Sequence, residues 1–600
     1  MHELRSIYPY FRPYREAIAW GIVCVVFANA FQVSGPWFMK LAIDSLDDPT
    51  VTRDTTFYAG LIVVVAVLGG VFRFGMRQLL NGVSRRIETD LRNDFFGHLL
   101  RMDATFYGTT RTGDLMSRAT NDTLAVRMAA GPAIMYSVNT IASFGLALGF
   151  MLVISVRLTL YAMIPLLILP LIVLFFGRII HKRFEEIQEQ FASLSTFVQE
   201  NLTGVRLVRA YAQETEQRRK FDDYNLDYRS RNMRLVLSAG LFHPLLMLIS
   251  GVAMVIVTGL GAIEVMAGDI SLGDFVAFGF YLTLLIWPMI ALGWVVNLYQ
   301  RGAASMGRLN RILEQTPAIA IPDDPTSLAN ARGAIEFRRV SFAYPGTERL
   351  VLDDVSFTVE AGASIAIVGP TGSGKTTIVA LLSRLYDPTS GTILLDGIPI
   401  TQVDPEELRL RIGMVPQDPF LFSDTIEGNI GLGMPYEAED KDAYGKDADT
   451  AASTDIAVAI QRSAEIAQLH DQIIDFPKGY ETLLGERGIN LSGGQKQRAT
   501  LARALARDPL ILVLDDALSA VDTHTESAIL SDLRGVTQTR TSFVISHRVS
   551  AVMDADKILV LEEGRIVQQG RHTDLIRAEG AYARLLRRQL LEEDLAAGSA

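Results

Sequence analysis

Six long apolar segments in the first half of the chain constrain its fold more than any other feature. A helix needs about 20 apolar residues to cross the roughly 30 Å of hydrocarbon in a membrane, and lipid offers no partner for an unpaired backbone group. The segments that meet this length are Ala17–Ile43, Phe57–Leu80, Pro132–Ile154, Leu158–Ile180, Leu241–Met266 and Phe275–Leu298. The sequence therefore predicts an all-α polytopic membrane domain of six transmembrane helices, with both chain ends on one side.

The charges between these segments predict their orientation. The loop after the first segment holds four aspartates against one arginine, and the loop after the fifth holds Glu264 and Asp269 without Lys or Arg. The long connections Arg73–Arg127 and Arg178–Arg234 are rich in arginine. Because cationic residues stay on the cytoplasmic side, we expect both termini and the second half of the chain to be cytoplasmic.

These two long connections also carry helical patterning, with Ile87, Leu91 and Phe95 at intervals of one helical turn. We expect the spanning helices to continue well beyond the membrane and to end in short reversals. The predicted reversals lie near Thr112–Asp122 and Val208–Gln213.

A linker separates this half from one of different composition. Residues Gln315–Gly333 include three prolines and interrupt all periodicity. Beyond them, short β-rich runs such as Ala334–Phe342 and Ile511–Leu514 alternate with helical segments, which is typical of an α/β domain. The predicted organisation is a membrane domain over residues 1–316, a linker over 317–332, an α/β domain over 333–590 and a tail over 591–600.

The α/β half contains a complete phosphate-binding loop. An apolar run at Ile365–Val368 leads into GPTGSGKT, which fits the pattern G-x-x-x-x-G-K-[ST] at every position. Its glycines let backbone N–H groups surround an anion, the following helix directs its positive end there, and the lysine adds a charge. A glycine-rich turn is the alternative, but the strand, the Lys-Thr pair and the helix occur together. The candidate nucleotide-binding residues are Gly369, Thr371, Gly372, Ser373, Gly374, Lys375, Thr376 and Thr377, and the Thr376 hydroxyl can also bind Mg²⁺.

The overall charge excludes one class of partner. The formal net charge is −11 and no basic tract is present. Because a nucleic-acid binder needs a basic surface to neutralise phosphates, we expect no nucleic-acid partner. The phosphate loop instead predicts a nucleotide ligand, ATP, together with Mg²⁺.

Further motifs make the second half resemble the ATP-binding cassette (ABC) family. Leu491–Gln495 reads LSGGQ, the family's signature, and ILVLD ends at Asp515 as a Walker B strand does. The resemblance implies that Asp515 and Gln417 help to hold Mg²⁺, that Tyr344 stacks on adenine, and that His547 contacts the γ-phosphate. It assigns the signature residues Ser492, Gly493, Gly494 and Gln495 to nucleotide binding, and Gln417, Asp516 and His547 to catalysis.

The first half resembles the same family. RTGDLMSRATND at Arg111–Asp122 and ENLTGVRLVRAYAQE at Glu200–Glu214 look like the coupling segments of type IV ABC exporters, and Glu486 in GERG looks like their X-loop. The resemblance implies ATP-driven export of a hydrophobic or amphipathic substrate, such as a drug, lipid or small peptide, across a bacterial plasma membrane. In this family the signature of one chain closes over the phosphate loop of another, so a second half-transporter is implied.

One position departs from the family pattern. Asp516 stands where an active site carries Glu, and its carboxylate falls roughly 1–1.5 Å short of the reach that a general base needs. The stretch Asp515–Glu526 resembles the degenerate-site subunit of bacterial heterodimeric exporters. A homodimer with Asp516 as the working base is one alternative, and an ABC-gated channel or regulatory membrane protein is another.

An acidic insertion, PYEAEDKDAYGKDADTAAST at Pro435–Thr454, interrupts the α/β half. It has too little apolar surface to offset the entropy of ordering, so we expect a solvated, mobile loop. Its role stays open.

Overall fold

A computed structural model describes residues 2–47, 55–434, 450–485, 488, 491–548 and 551–588. It divides into two compact units, one of Met1–Arg101 with Thr110–Thr316 and one of Met102–Thr109 with Pro317–Ala600. Glu486, Asp48, Asp54 and the tail 591–600 lie outside the described residues.

The first unit is built from helices, because its apolar segments leave the backbone no other partner in lipid. Among the described residues, six helical rods are long and apolar enough to cross a membrane, which confirms the predicted number. The helices of the N-terminal part are α1 (Tyr8–Phe11), α2 (Arg15–Asp47), α3 (Thr55–Arg101), α4 (Ala104–Thr109), α5 (Thr112–Ser117), α6 (Thr123–Met128), α7 (Ile134–Ile154), α8 (Val156–Thr203), α9 (Val205–Ala210), α10 (Glu214–Ala267) and α11 (Leu272–Leu313).

One of the two predicted reversals is misplaced. Residues 112–154 run as one helical rod, because π-helical turns at Arg118–Asp122 and Ala129–Ala133 join α5, α6 and α7. The chain reverses earlier, where the Asp103 carboxylate accepts hydrogen bonds from the N–H groups of Thr105 (2.9 Å) and Phe106 (3.2 Å) and so starts α4. The second reversal lies as predicted, with α9 between the ends of α8 and α10.

Small residues bring three helices of the first unit into backbone contact. A Cβ at Gly131 would lie 2.3 Å from the Cβ of Ser84 on α3, and a Cβ at Gly302 on α11 would lie 2.3 Å from the Cβ of Ala129. Neither approach leaves room for a side chain. Segment 129–131 is therefore held between α3 and α11 at one crossing, as small residues permit in membrane helix bundles.

Polar contacts also join helices in this unit. Asn29 donates to Asn139 Oδ1 (3.0 Å) between α2 and α7, and Lys40 forms an ion pair with Asp274 (2.6 Å) between α2 and α11. These groups satisfy one another, which lowers the cost of placing them among apolar helices.

In its described residues the second unit is an α/β domain with two sheets. Its strands are β1 (Ile335–Phe342), β2 (Leu352–Val359), β3 (Ser364–Val368), β4 (Ser390–Leu395), β5 (Ile398–Pro399), β6 (Ile412–Val415), β7 (Ile511–Asp515), β8 (Thr541–Ile545), β9 (Lys557–Glu562) and β10 (Arg565–Gly570). Its remaining helices are α12 (Lys375–Leu382), α13 (Pro405–Leu410), α14 (Ile426–Gly431), α15 (Thr450–Ile466), α16 (His470–Ile474), α17 (Gly493–Ala506), α18 (Thr523–Thr537) and α19 (His572–Arg577).

The sheet order places the phosphate loop. An antiparallel sheet has the order β2-β1-β4-β5, and a second sheet has the order β10-β9-β3-β8-β7-β6. Strands β9, β3, β8, β7 and β6 are parallel, and the apolar side chains of β3 are buried, as expected for a strand covered on both faces. The ends of β3, β7 and β8 therefore meet at one edge, where open α/β sheets bind ligands.

The acidic insertion differs in part from the expected loop. Helix α15 begins at Thr450, so the prediction was wrong for residues 450–454. The helix is held farther along, where Ile460 and Ala464 are buried in a cluster with residues of α17, and Ala451 and Ala452 favour its extension. Residues 435–449 lie outside the described residues.

Candidate nucleotide-binding site

The phosphate loop joins β3 to α12 in a conformation that requires glycine. Gly369 has φ +153°, and a Cβ there would lie 2.1 Å from the carbonyl oxygen of Leu561. Lys375 begins α12 and is buried, and its Nζ donates to the carbonyls of Gly369 and Pro370, at 2.9 Å each. Burial lowers the pKa of Lys375, while the nearby carboxylates of Asp515 and Asp516 oppose that change.

Asp515 lies beside this loop at the end of β7 and is 1% exposed. Its Oδ2 has no hydrogen-bond partner within the described chain. Burial raises the pKa of Asp515, a hydrogen bond from Thr376 opposes the rise, and the Asp516 carboxylate adds to it. An unpaired buried carboxylate oxygen is costly, so this atom is suited to a cation.

A cavity of about 810 Å³ opens over these groups. It brings together most of the predicted site residues: Tyr344, Thr371, Gly372, Gly374, Lys375, Thr376, Thr377, Gln417, Asp515, Asp516 and His547. Gly369 lines an adjoining cavity with Thr371 and His547, and Ser373 is buried with an unpaired Oγ.

Sequence reasoning missed several residues of this cavity. Arg349 and Leu350 come from the β1–β2 connection, and Glu563 and Gly564 come from the β9–β10 turn. No motif marks them, because the sheet order alone brings these turns to the phosphate loop. Arg349 adds a positive charge to the cavity and Glu563 a negative one.

Tyr344 stands at the side of the cavity. Its ring packs edge-on against Phe342 and Tyr386, with centroids 5.0 and 5.4 Å away. Its hydroxyl lies 3.1 Å from Thr377 Oγ1. The ring is half-buried, so a flat aromatic surface of fixed orientation faces the cavity edge.

The signature residues Ser492–Gln495 lie outside the cavity over the phosphate loop. Ser492 caps α17, and its hydroxyl accepts from the N–H of Gln495 (3.2 Å) while the Gln495 side chain accepts from the N–H of Ser492 (2.9 Å). Ser492 and Gly493 are exposed, and none of the described residues Ser492–Gln495 lines the cavity. The helix therefore presents a ready-made anion-binding end that this chain's own phosphate loop does not use.

Asp516 has an unusual backbone. Its φ is +49°, in the left-handed region, which aspartate tolerates better than most residues. Its N–H donates to the carbonyl of Ile545 on β8 (2.8 Å). The backbone that carries this carboxylate is therefore tied to the sheet.

Comparison with known proteins matches both halves of the chain to family models. Residues 18–289 match the ABC transporter transmembrane region, and residues 352–519 match the ABC transporter model. The probable multidrug resistance ABC transporter ATP-binding/permease protein YheI of Bacillus subtilis is 38% identical over 593 residues, which cover 98% of both chains.

Other relatives match over nearly their full length. The multidrug resistance-like ATP-binding protein MdlA of Escherichia coli is 35% identical, over 98% of this chain and 96% of that protein. The ATP-dependent lipid A-core flippase of Burkholderia orbicola is 32% identical, over 99% and 97%. A solved structure of a bacterial Atm1-family ABC exporter with ATP bound superposes with a TM-score of 0.75 at 29% identity and covers 96% of this chain and 99% of that one. The chain therefore belongs to the ABC transporter family, as an ATP-hydrolysing exporter that joins a membrane domain to an ATPase domain.

Proposed function

We propose that this chain is one half of a dimeric exporter that moves a hydrophobic or amphipathic compound, such as a drug, lipid or small peptide, across a bacterial plasma membrane. In this proposal the membrane domain spans residues 1–316, the ATPase domain spans residues 333–590, and both termini are cytoplasmic. The observation that carries the dimer is the separation of the signature end of α17 from the cavity that holds Lys375 and Asp515. The names of the relatives, which include multidrug and lipid A-core transporters, support this substrate class.

The residues of the cavity fit ATP with Mg²⁺. The unpaired Asp515 Oδ2 is the atom that a cation would satisfy, and Thr376 and Gln417 would supply neighbouring oxygens. The described residues contain no group of three or more His, Cys, Asp or Glu that could hold a metal ion. Phosphate oxygens and water are the usual remaining ligands of Mg²⁺ at such a site. When bound, Mg²⁺ would neutralise phosphate charge.

The other groups have roles that their positions suit. The Lys375 ammonium lies where it can exchange its two carbonyl contacts for phosphate oxygens. His547 reaches the cavity from the end of β8, where it would contact the γ-phosphate. Tyr344 would stack on the adenine ring.

We further propose that the partner is a different half-transporter. The N–H of Asp516 is bonded to β8, so the backbone does not move forward freely to compensate for a side chain one methylene shorter than Glu. A base misplaced by about 1 Å can lose about 100-fold in rate. This chain's cavity would then bind ATP and hydrolyse it slowly, while its signature residues complete the partner's competent cavity.

Asp516→Asn should leave most of the ATPase activity of the complex, with less than about a twofold change in kcat. Asn also tolerates the left-handed backbone, so this substitution tests the charge and not the fold. The measurement is steady-state ATPase of the complex purified from its native membrane, with its subunits identified. If the complex contains this chain alone and loses its activity, the heterodimer is excluded and Asp516 is the working base.

Substitution of Asp114 or Arg206 should uncouple transport from ATP turnover more than it lowers turnover. Asp114 lies in the first turn of α5 and Arg206 in α9, and both are exposed, so replacement by Ala leaves the helices intact. The measurement is ATP-dependent uptake of a fluorescent amphipathic dye into inside-out vesicles, alongside ATPase activity.

Asp222→Ala on α10 is the control, since that residue is also exposed on a helix of the same unit. Equal losses of transport, turnover and protein yield would show that Asp114 and Arg206 are structural. A dye leak without ATP consumption in the unmodified complex would contradict export itself.

A further inference from the structure

Gln497, on the second turn of α17, bridges two segments of the ATPase unit. Its side chain is 4% exposed. The described residues that line the cavity over the phosphate loop do not include Gln497. The amide nitrogen donates to Ser519 Oγ (2.8 Å) and lies 3.5 Å from the carbonyl oxygen of Asp516. The amide oxygen accepts from the N–H of Ala520 (2.9 Å). A buried amide whose nitrogen and oxygen both bond to segment 516–520 fixes its own helix, α17, relative to that segment.

A second contact holds the same two segments together. A Cβ at Gly494 would lie 2.8 Å from the carbonyl oxygen of Ala520, so α17 and the segment 516–520 meet at backbone distance. The first turns of α17 thus pack directly on the segment that starts at Asp516.

The far side of segment 516–520 is also anchored. Arg548, which follows His547, donates to the carbonyl of Ser519 (3.3 Å) and forms an ion pair with the buried Glu526 of α18. Segment 516–520 therefore connects the His547 side of the cavity with the signature helix. Of these links, the Gln497 side chain is the one that bonds both a side chain and the backbone of the segment.

We propose that Gln497 is a positioning residue that makes the signature helix and segment 516–520 one rigid body. The position of Asp516 in this chain's cavity and that of Ser492 and Gly493, which complete the partner's cavity, then change together. This inference rests on the proposed function. It assigns a role to this chain's own cavity, in which ATP is hydrolysed slowly. Nucleotide bound beside Asp516 sets the position of the signature that the competent cavity needs.

Gln497→Ala in the complete complex should lower the kcat of ATP hydrolysis by about 10- to 100-fold, because the signature loses its fixed position by a fraction of an ångström. The KM for ATP should change less than about twofold, since Gln497 does not line the cavity. Photolabelling of this chain by an azido-ATP analogue should not change. A role in packing alone would instead lower the yield and thermal stability of the complex and leave the kcat of the folded fraction intact.

Thr500→Val is the matched control. Thr500 is buried on the same helix, and its hydroxyl donates to the carbonyl of Gln497 within that helix (2.8 Å). Valine keeps the branched shape and removes only this hydroxyl, which bonds to carbonyls of its own helix and not to segment 516–520, so kcat and KM should both remain within about twofold of the unmodified values.

Ser519→Ala tests the link if Gln497→Ala does not fold. It removes one hydroxyl and should by itself lower kcat while KM stays within about twofold of the unmodified value. Where Gln497→Ala does fold, the double variant should be no slower than Gln497→Ala, since both substitutions remove the same bond. Fully additive losses overturn the inference, and so does a raised KM with unchanged kcat.

Different experimental results would contradict the export proposal and the role of Gln497. An active, transporting complex whose kcat is unchanged by Gln497→Ala overturns this inference and leaves the proposed function intact. A complex that shows no ATP-dependent dye uptake, yet loses kcat on Gln497→Ala, overturns the export proposal and supports the positioning role.

Discussion

Gly493→Asp is expected to abolish nearly all ATPase activity of the complex, with a loss of about 100- to 1000-fold in kcat. Gly493 is the first residue of α17, where unpaired backbone N–H groups and the helix dipole favour an anion. In the proposed dimer, a carboxylate at this position would occupy the helix end that otherwise receives the γ-phosphate in the partner's cavity. Like charges would then meet where the two chains close.

The structure shows that this loss would not come from unfolding. A Cβ at Gly493 meets the Cβ of Ala520 at 3.5 Å, an ordinary contact, and Gly493 is not among the residues with positive φ. Aspartate in the first turn also stabilises a helix through its dipole. Gly493→Asp should therefore yield a folded complex with an unchanged melting temperature.

One substitution at the same position and one at the next position serve as controls for this prediction. Gly493→Ala adds bulk without charge and should keep much more activity than Gly493→Asp. Gly494→Ala places its Cβ 2.8 Å from the Ala520 carbonyl oxygen and should lower stability as well as activity. Equal activity of Gly493→Asp and the unmodified complex would refute the role of this chain's signature in the competent cavity.

Lys375→Ala should weaken ATP binding at this chain's own cavity by about 10- to 100-fold. A hydrogen bond to a charged group contributes about 1.5–3 kcal/mol, and about 1.4 kcal/mol corresponds to a tenfold change in affinity. The substitution also leaves the carbonyls of Gly369 and Pro370 without the donor they share. Photolabelling of this subunit with an azido-ATP analogue at subsaturating concentration measures the effect.

Lys557→Ala provides a matched control for charge. Lys557 begins β9 and its Nζ bonds to the carbonyl of Thr358, away from the cavity lined by Lys375. Its removal should leave labelling unchanged. If Lys375→Ala labels as strongly as the unmodified chain, the assignment of the phosphate loop fails.

Local patterns made the six helices and the phosphate loop predictable from sequence. A membrane span is predicted by a run of consecutive apolar residues. The phosphate loop is predicted by eight consecutive residues, Gly369 to Thr376. The reversal at 102–111 was not predictable in the same way. The composition of segment 112–122 is typical of a connection between helices, and nothing in it indicates that the helix continues there through a π-helical turn.

Long-range geometry accounts for what sequence reasoning missed at the site. Arg349 and Glu563 reach the cavity because β2 and β10 lie where the sheets place them, and neither residue has a distinctive neighbourhood in sequence. At Asp516 the missing methylene is evident in the sequence, but the left-handed backbone and its bond to β8 are not. The bridge made by Gln497 likewise depends on a contact across 22 positions.

The crossing at 129–131 gives the rod of residues 112–154 the mechanics of a two-armed lever. Backbone contact with α3 and α11 makes this point a pivot for tilting and resists sliding, since sliding would replace Gly131 beside Ser84 of α3, and Gly302 of α11 beside Ala129, with residues that have side chains. At about 1.5 Å per residue, the arm from the crossing to Thr112 is about 27 Å long and the arm to Ile154 about 36 Å. A displacement of α5 would then appear at the far end of α7 reversed in direction and enlarged by about one third. Side chains larger than glycine at 131 or 302 would move that pivot and change the ratio of the two arms.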